Sequence, residues 1–324
     1  MARVTELLDL QLLAVPYSSS HIAEADLYKQ RDALVAFIQR LSRSHHFEPD
    51  YRVEETQSLK AFQAFLANKP AKYVKEERDA ISTRVHDWDG RYSVSVFTAE
   101  SGFDRKQAFK QRSVDALLDT LDNWSGSSKT FEQDMELEFQ DAARIFIDEY
   151  ATKTARLYCG DFAALIDSPI LASVGEGLFF VVRTLKADPR SIGAFLASRH
   201  FREIPSQQLS ARLYSAFKER LRTKADRLPT SKEDREKKYS GLLFDVRHAS
   251  TYAPYCDAFF TDNAMANLMN NKRVAVEETY GCKVFSASSR EELFKWLGEV
   301  KANMTPEHAD GLRWAYGRYR KPQT

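Results

Sequence analysis

From Thr56 to about Leu228 the apolar residues recur at helical spacing almost without a break. This confines any sheet to what the two ends of the chain can supply. Leu59, Phe62, Phe65 and Leu66 make one stripe, and Ala116, Leu117, Leu121 and Trp124 a second. Phe139, Ala143, Ile147 and Tyr150 make a third inside the window Glu136 to Leu157. The run Gly175 to Leu185, with Leu178-Phe179-Phe180-Val181-Val182 at its centre, is apolar on all sides. It predicts a central buried helix, although its composition also suits a strand. One interruption, Asp89 to Phe97, alternates Tyr92, Val94 and Val96 with polar residues and reads as a strand or hairpin arm. Ser125-Gly126-Ser127-Ser128 reads as a loop, and no internal repeat is present.

The ends carry the strand signals. Leu10 to Val15, closed by Pro16, predicts a short buried strand. Ser18 to Ser20 then offer caps for a helix starting near His21, with Leu27, Leu34, Phe37, Ile38 and Leu41 on its apolar face. In the last third, Leu209 to Leu228 predicts a basic amphipathic helix, followed by a charge-dense loop from Thr230 to Lys238. A helix around Asp245 to Tyr252, a strand Ala258-Phe259-Phe260, a helix Asn263 to Met269, a strand Val284-Phe285 and a helix Arg290 to Val300 follow. Helices alternating with strands imply a parallel sheet with right-handed crossovers. The expected architecture is α/β: a parallel sheet flanked by helices, split by a large, mostly helical insertion.

Composition excludes several classes. With 43% hydrophobic residues the chain can bury a core, which rules out disorder as the dominant state. No stretch approaches the roughly 18 apolar residues that span a bilayer, so no membrane partner is expected. A net charge of +1 is too small for coating nucleic acid by charge alone, so any such site must be local. The three cysteines, Cys159, Cys256 and Cys282, have neither zinc-ligand nor disulfide-framework spacing. They predict free buried thiols in a reducing cytoplasm.

The block that carries chemistry runs from Phe244 to Asn263. Asp245 sits near the start of a helix, Asp257 ends the loop into a strand, and Thr261, Asp262 and Asn263 lie just past that strand's carboxyl end. Open α/β sheets bind ligands outside that end. Carboxylates gathered there repel one another unless a cation neutralises them, and hard oxygen donors suit Mg²⁺ or Mn²⁺.

This block resembles the second half of a PIN-like nuclease domain, in which an Asp opens a helix and a strand about sixteen residues later ends in Thr-x-Asp or Thr-x-Asn. Tyr280-Gly281-Cys282-Lys283-Val284-Phe285-Ser286 followed by Glu291-Glu292-Leu293 resembles that family's final strand and helix. The strand closed by Pro16-Tyr17-Ser18, with Glu24 on the next helix, resembles its second acidic motif. The resemblance covers roughly residues 7–45 and 204–300. It implies a discontinuous PIN-like domain over 1–50 and 204–305, a helical insertion over 51–203 that shapes substrate access or dimerises, and a basic-aromatic tail over 306–324. It also implies that Glu24, Asp245, Asp262 and Asn263 hold Mg²⁺ or Mn²⁺, with Glu24, Asp245 and Asp262 catalytic, and that the chain cleaves RNA or, less often, single-stranded DNA. Such a metal lowers the pKa of bound water and stabilises charge on phosphate oxygens. His248, Thr261, Arg220 and Lys224 are the candidate nucleic-acid contacts. The family's first acid, at the end of an opening strand, has no counterpart here, where Asp9 is the nearest acid. That departure favours an alternative: a catalytically impaired nucleic-acid-binding or protein-interaction module.

Each residue also has a structural reading. Asp245 and Glu24 each suit a helix's first turn, where the dipole favours acids. Asp257 suits a loop cap. His248 and His21 lie three residues from their acids and suit packed, hydrogen-bonded roles. Arg40 and His45 match the Arg-x4-His spacing of metal-independent helical ribonucleases, but a solvated helix end explains them better.

Overall fold

In the computed structural model, residues 2–25, 29–43, 45–81, 103–161, 178, 182–188, 190–223 and 228–316 are described. In chain order the helices and strands are α1 (Ala2–Asp9), α2 (Ser19–Ala25), α3 (Arg31–Ser42), α4 (Asp50–Leu66), α5 (Phe103–Ser125), α6 (Phe131–Tyr158), α7 (Ser191–Leu196), α8 (Arg199–Arg202), α9 (Pro205–Arg222), α10 (Lys232–Tyr239), α11 (Leu242–Tyr252), β1 (Ala258–Phe260), α12 (Asn263–Met269), α13 (Val276–Tyr280), β2 (Lys283–Phe285), α14 (Arg290–Ala302) and α15 (Pro306–Tyr316). Among the described residues the fold is mixed and mostly helical, with a small two-stranded parallel sheet, β1 beside β2. The chain divides into two compact units: Met1–Phe47, Ile81–Ser93 and Phe285–Thr324, and Glu48–Ala80 with Val94–Val284.

In the second unit α9 is the central element, packed against α6, α11 and α5. Leu209, Leu213, Ala216, Phe217 and Leu221 are buried on it, three or four residues apart, as an amphipathic helix facing a core requires. Val114, Leu117, Leu118 and Leu121 of α5 and Val246 and Ala249 of α11 fill the same core. A second cluster joins Phe62 of α4 to Phe195 and Phe201, with ring centroids 5.1 Å apart for Phe62–Phe195 and 5.8 Å for Phe195–Phe201. Leu178 and Val182 are buried in that cluster. The remainder of the predicted Gly175–Leu185 helix is largely outside the described residues, and so is the predicted strand at Asp89–Phe97.

In the first unit, α1 packs against α14. The Arg3 guanidinium stands 5.2 Å from the Phe294 ring centroid, and Lys301 pairs with Glu6. The strand expected at Leu10–Val15 is not formed. α1 runs to Asp9, Gln11 takes a left-handed φ of 53°, and the Leu12 N–H closes the helix end on the Leu7 carbonyl at 3.0 Å. Leu7, Leu8 and Leu10 are therefore buried by a helix and its exit turn rather than by a sheet. The nearest strand-like feature is an isolated parallel bridge between Tyr17 and His46. The expected loop at Thr230–Lys238 is instead mostly α10. Ser231 caps it, its Oγ accepting from the Asp234 N–H at 3.1 Å, and acids in the first turn and lysines in the last suit the helix dipole.

All three cysteines are free; Cys282 is buried and Cys256 half-buried, but Cys159 is exposed, against expectation. Among the described residues no helix is long and apolar enough to cross a membrane.

Candidate functional site

The predicted site residues fall in both units. Glu24 is exposed on α2 of the first unit, three residues after His21. The helix starts where Ser18 predicts: its buried side chain lies 3.1 Å from His21 Nδ1, and its Oγ accepts from the His21 N–H at 3.4 Å. Asp245, His248, Thr261, Asp262, Asn263 and Arg220 belong to the second unit. Lys224 lies outside the described residues.

Thr261, Asp262 and Asn263 lead from the carboxyl end of β1 into α12. Asp262 is the N-cap of that helix: its Oδ1 accepts from the Ala264 N–H at 2.7 Å and the Met265 N–H at 2.9 Å. One carboxylate oxygen thus satisfies two of the donors that every helix start leaves unmatched. Asp262 and Asn263 are exposed, and Thr261 is half-buried.

Asp245 occupies the first turn of α11, and its N–H donates to the Gly241 carbonyl at 2.9 Å. Its carboxylate folds back over the helix start, so close to Gly241 that a Cβ there would stand 2.9 Å from Oδ2. Positive dipole charge at the helix start favours an acid in this position. His248, one turn on, packs its ring against Tyr252 (centroids 5.0 Å apart) and against Phe259 in the middle of β1 (5.8 Å). Arg220 is half-buried near the end of α9. His45 of the Arg40/His45 spacing is buried, with Nδ1 2.9 Å from the Ser42 carbonyl, and Arg40 lies over Phe37.

The strongest charge constellation is one the sequence reading left without a role. Arg247 Nε lies 3.0 Å from Asp50 Oδ2, and its Nε and NH2 donate to the two oxygens of Glu54 at 3.2 and 3.1 Å. Burial pushes the Glu54 carboxyl above its ordinary value, against the pull of Arg247. Burial also works against the Arg247 charge, but Glu54 and Asp50 outweigh it and hold the guanidinium above its ordinary value. Two more ion pairs tie α6 to α9: Lys218 with Glu138, and Arg222 with Asp134 at 2.6 Å. Lys218 also stands 4.7 Å over the Trp124 ring. Burial raises the pKa of Tyr214, between these groups in sequence; Glu138 adds to the rise and Arg247 opposes it. The available signal was the Asp50-x3-Glu54 spacing, which places two acids on one helix face four residues apart.

A cavity of about 50 Å³ beside Glu54 and Ser58 is walled mainly by Phe146, Leu178, Phe195 and Phe201. It has room for water and not for a nucleotide. A groove of about 440 Å³ along α6 is nucleotide-sized, but Phe139, Ala143, Ile147 and Leu196 line it, and its Glu136 and Arg202 pair with each other.

The carboxylates were also tested as a cation site. Among the described residues no three His, Cys, Asp or Glu side chains gather closely enough to hold a metal ion. Asp262 commits Oδ1 to its helix and Asp245 leans on Gly241, so these donors as placed do not fit a divalent ion. In comparisons with known proteins, no family model, curated protein or solved structure matches the chain.

Proposed function

We propose that the chain is a PIN-like nuclease that hydrolyses RNA, with Asp245 and Asp262 as its central carboxylates. The observation that carries this reading is the parallel unit β1–α12–α13–β2, with Thr261, Asp262 and Asn263 at the carboxyl end of β1. That is where open α/β folds engage ligands. The two acids also keep the sequence order that the resemblance requires. On this reading the Asp262 carboxylate orients a water toward the phosphorus, and the Thr261 hydroxyl donates to a phosphate oxygen. Asn263 adds an amide oxygen beside Asp262, Glu24 enters the reading from the resemblance alone, and His248 and Arg220, with Lys224, contact the nucleic acid. Mg²⁺ or Mn²⁺ enters the reading from the resemblance alone, and no step is built on it.

A second reading has its own support. Asp262 acts as a helix cap and Asp245 lies at a helix start. Acids with these structural tasks suit a module that binds nucleic acid or protein without cleaving. Dimerisation through 51–203 is a further part of the proposal, read by sedimentation.

The experiment is cleavage of end-labelled RNA and DNA with Mn²⁺ or EDTA, using the wild-type chain, Asp245→Asn, Asp262→Asn and Glu24→Gln. Asn caps a helix as well as Asp does, so Asp262→Asn tests charge without removing the cap. Wild-type cleavage of RNA, abolished by Asp245→Asn, is expected. Equal cleavage by wild type and Asp245→Asn overturns the assignment, and retained binding without cleavage selects the second reading.

A further inference from the structure

We infer that the groove between α6 and α7 is where the chain binds a second copy of itself: α6 of that copy lies antiparallel along α6, and Arg144 of each protomer pairs with Asp148 of the other. α6 spends one face inside the second unit, where Glu138 and Asp134 pair with Lys218 and Arg222 of α9. Another face carries Phe139, Ala143 and Ile147, which recur every four residues and so form one stripe. That stripe is one wall of the groove of about 440 Å³, and Gly193, Leu196 and Ala197 of α7 are the other. Phe139 and Leu196 are buried and Ala143 is half-buried, whereas Ile147 stays 49% exposed. Nothing lies within 4 Å of a Cβ added at Gly193, so the backbone of α7 is open to close approach. An exposed Ile over a buried apolar floor is the surface that side chains of another helix interlock with.

The charges on the groove's flank say which helix. Arg144 and Asp148 both line it, one turn apart on the same side of α6. Arg144 meets only Asp141 of its own helix, at 2.9 Å, in an exposed pair of the kind that contributes little. Asp148 is exposed and has no ion-pair partner among the described residues. This pattern is complementary to itself when reversed. A twofold axis crossing α6 beside Ile147 sets Arg144 opposite Asp148 of the partner subunit, and the same rotation makes the second pair. A parallel partner would instead set Arg against Arg and Asp against Asp, and like charges across an interface select against that arrangement.

The inference deepens the dimerisation put forward above and rests on no cleavage chemistry. The test is sedimentation equilibrium of the full chain over a series of concentrations. The wild-type chain should dimerise. Arg144→Asp and Asp148→Arg should each raise the dimer dissociation constant at least about tenfold, because both symmetry-related pairs become like-charge contacts at once. Ile147→Glu should do the same. An equimolar mixture of the two charge variants should dimerise again, since one protomer then offers two acids and the other two guanidiniums. A role confined to one helix does not produce that rescue. All three side chains are exposed, and circular dichroism checks that the fold is kept. A wild-type chain that stays monomeric, a dimer indifferent to the three variants, or a mixture that stays monomeric overturns the inference. A dimer with the expected rescue in a chain that never cleaves RNA sinks the nuclease reading and leaves this one standing; RNA cleavage by a strict monomer does the reverse.

Discussion

The Asp245 carboxylate rests against the backbone of Gly241: a Cβ added at residue 241 would come within 2.9 Å of Oδ2. Gly241 has φ −83° and ψ −23°, which any residue adopts. The glycine is therefore needed for space and not for backbone freedom. Gly241→Ala should push the carboxylate off the helix start at a cost of no more than about 1 kcal/mol, since Gly241 is the N-cap of α11, where alanine serves worse than glycine. If Asp245 acts on substrate, this variant should lose RNA cleavage at least tenfold with only a small drop in urea midpoint. Full activity in Gly241→Ala would show that the position of the carboxylate is immaterial.

Asp262 offers a cleaner separation of cap and chemistry. Asp262→Ala removes the acceptor for the Ala264 and Met265 N–H groups and should cost about 1 kcal/mol. Asp262→Asn keeps a side-chain oxygen in place and should cost only a few tenths of that. Urea unfolding of the two variants measures the difference. Equal losses would mean that the negative charge, and not the hydrogen bonds, holds α12.

What the sequence disclosed follows periodicity and punctuation. α4, α5, α6 and α9 were legible because their apolar residues recur every three or four positions, and β1 and β2 because short apolar runs follow turns. The apolar run at Leu10–Val15 misled because Leu7, Leu8 and Leu10 belong to a helix end whose closure depends on Gln11 taking positive φ, which composition does not reveal. At Thr230–Lys238 the density of charge hid a helix whose signal was Ser231 three residues before Asp234. Asp245 was found as an acid at a helix start and Asp262 as one just past a strand's carboxyl end, but their contacts belong to three-dimensional packing. The Asp50–Glu54–Arg247 group was missed because its members are nearly two hundred residues apart in the chain, and only the contact of α4 with α11 unites them.

Arg247 holds two half-buried acids with one planar fork. Lysine carries the same charge without the fork and serves such a site poorly. Arg247→Lys should lower stability by about 1 kcal/mol and Arg247→Ala by about 2 kcal/mol, because the alanine variant leaves Asp50 and Glu54 facing each other without a cation. The figures allow for the solvent that still reaches this group. In Arg247→Ala, adding Glu54→Gln should restore part of the loss. A double variant no more stable than Arg247→Ala would mean that the acids do not repel there.

Glu138 supplies the pH dependence. Burial raises its carboxyl above the ordinary value of 4.5, only partly countered by Lys218. The native state then binds this proton more tightly than the unfolded chain, so the linkage slope is negative. Its contribution to stability is undiminished below pH 4.5 and falls as pH rises through the raised native value. Glu54 is raised by burial too and acts in the same direction. Urea midpoints measured from pH 4.5 to 7 should decline more in the wild-type chain than in Glu138→Gln, which has no proton to lose at that site. A wild-type profile that runs parallel to the variant's would show that Lys218 fully compensates the buried charge, and that the α6–α9 contact is insensitive to pH.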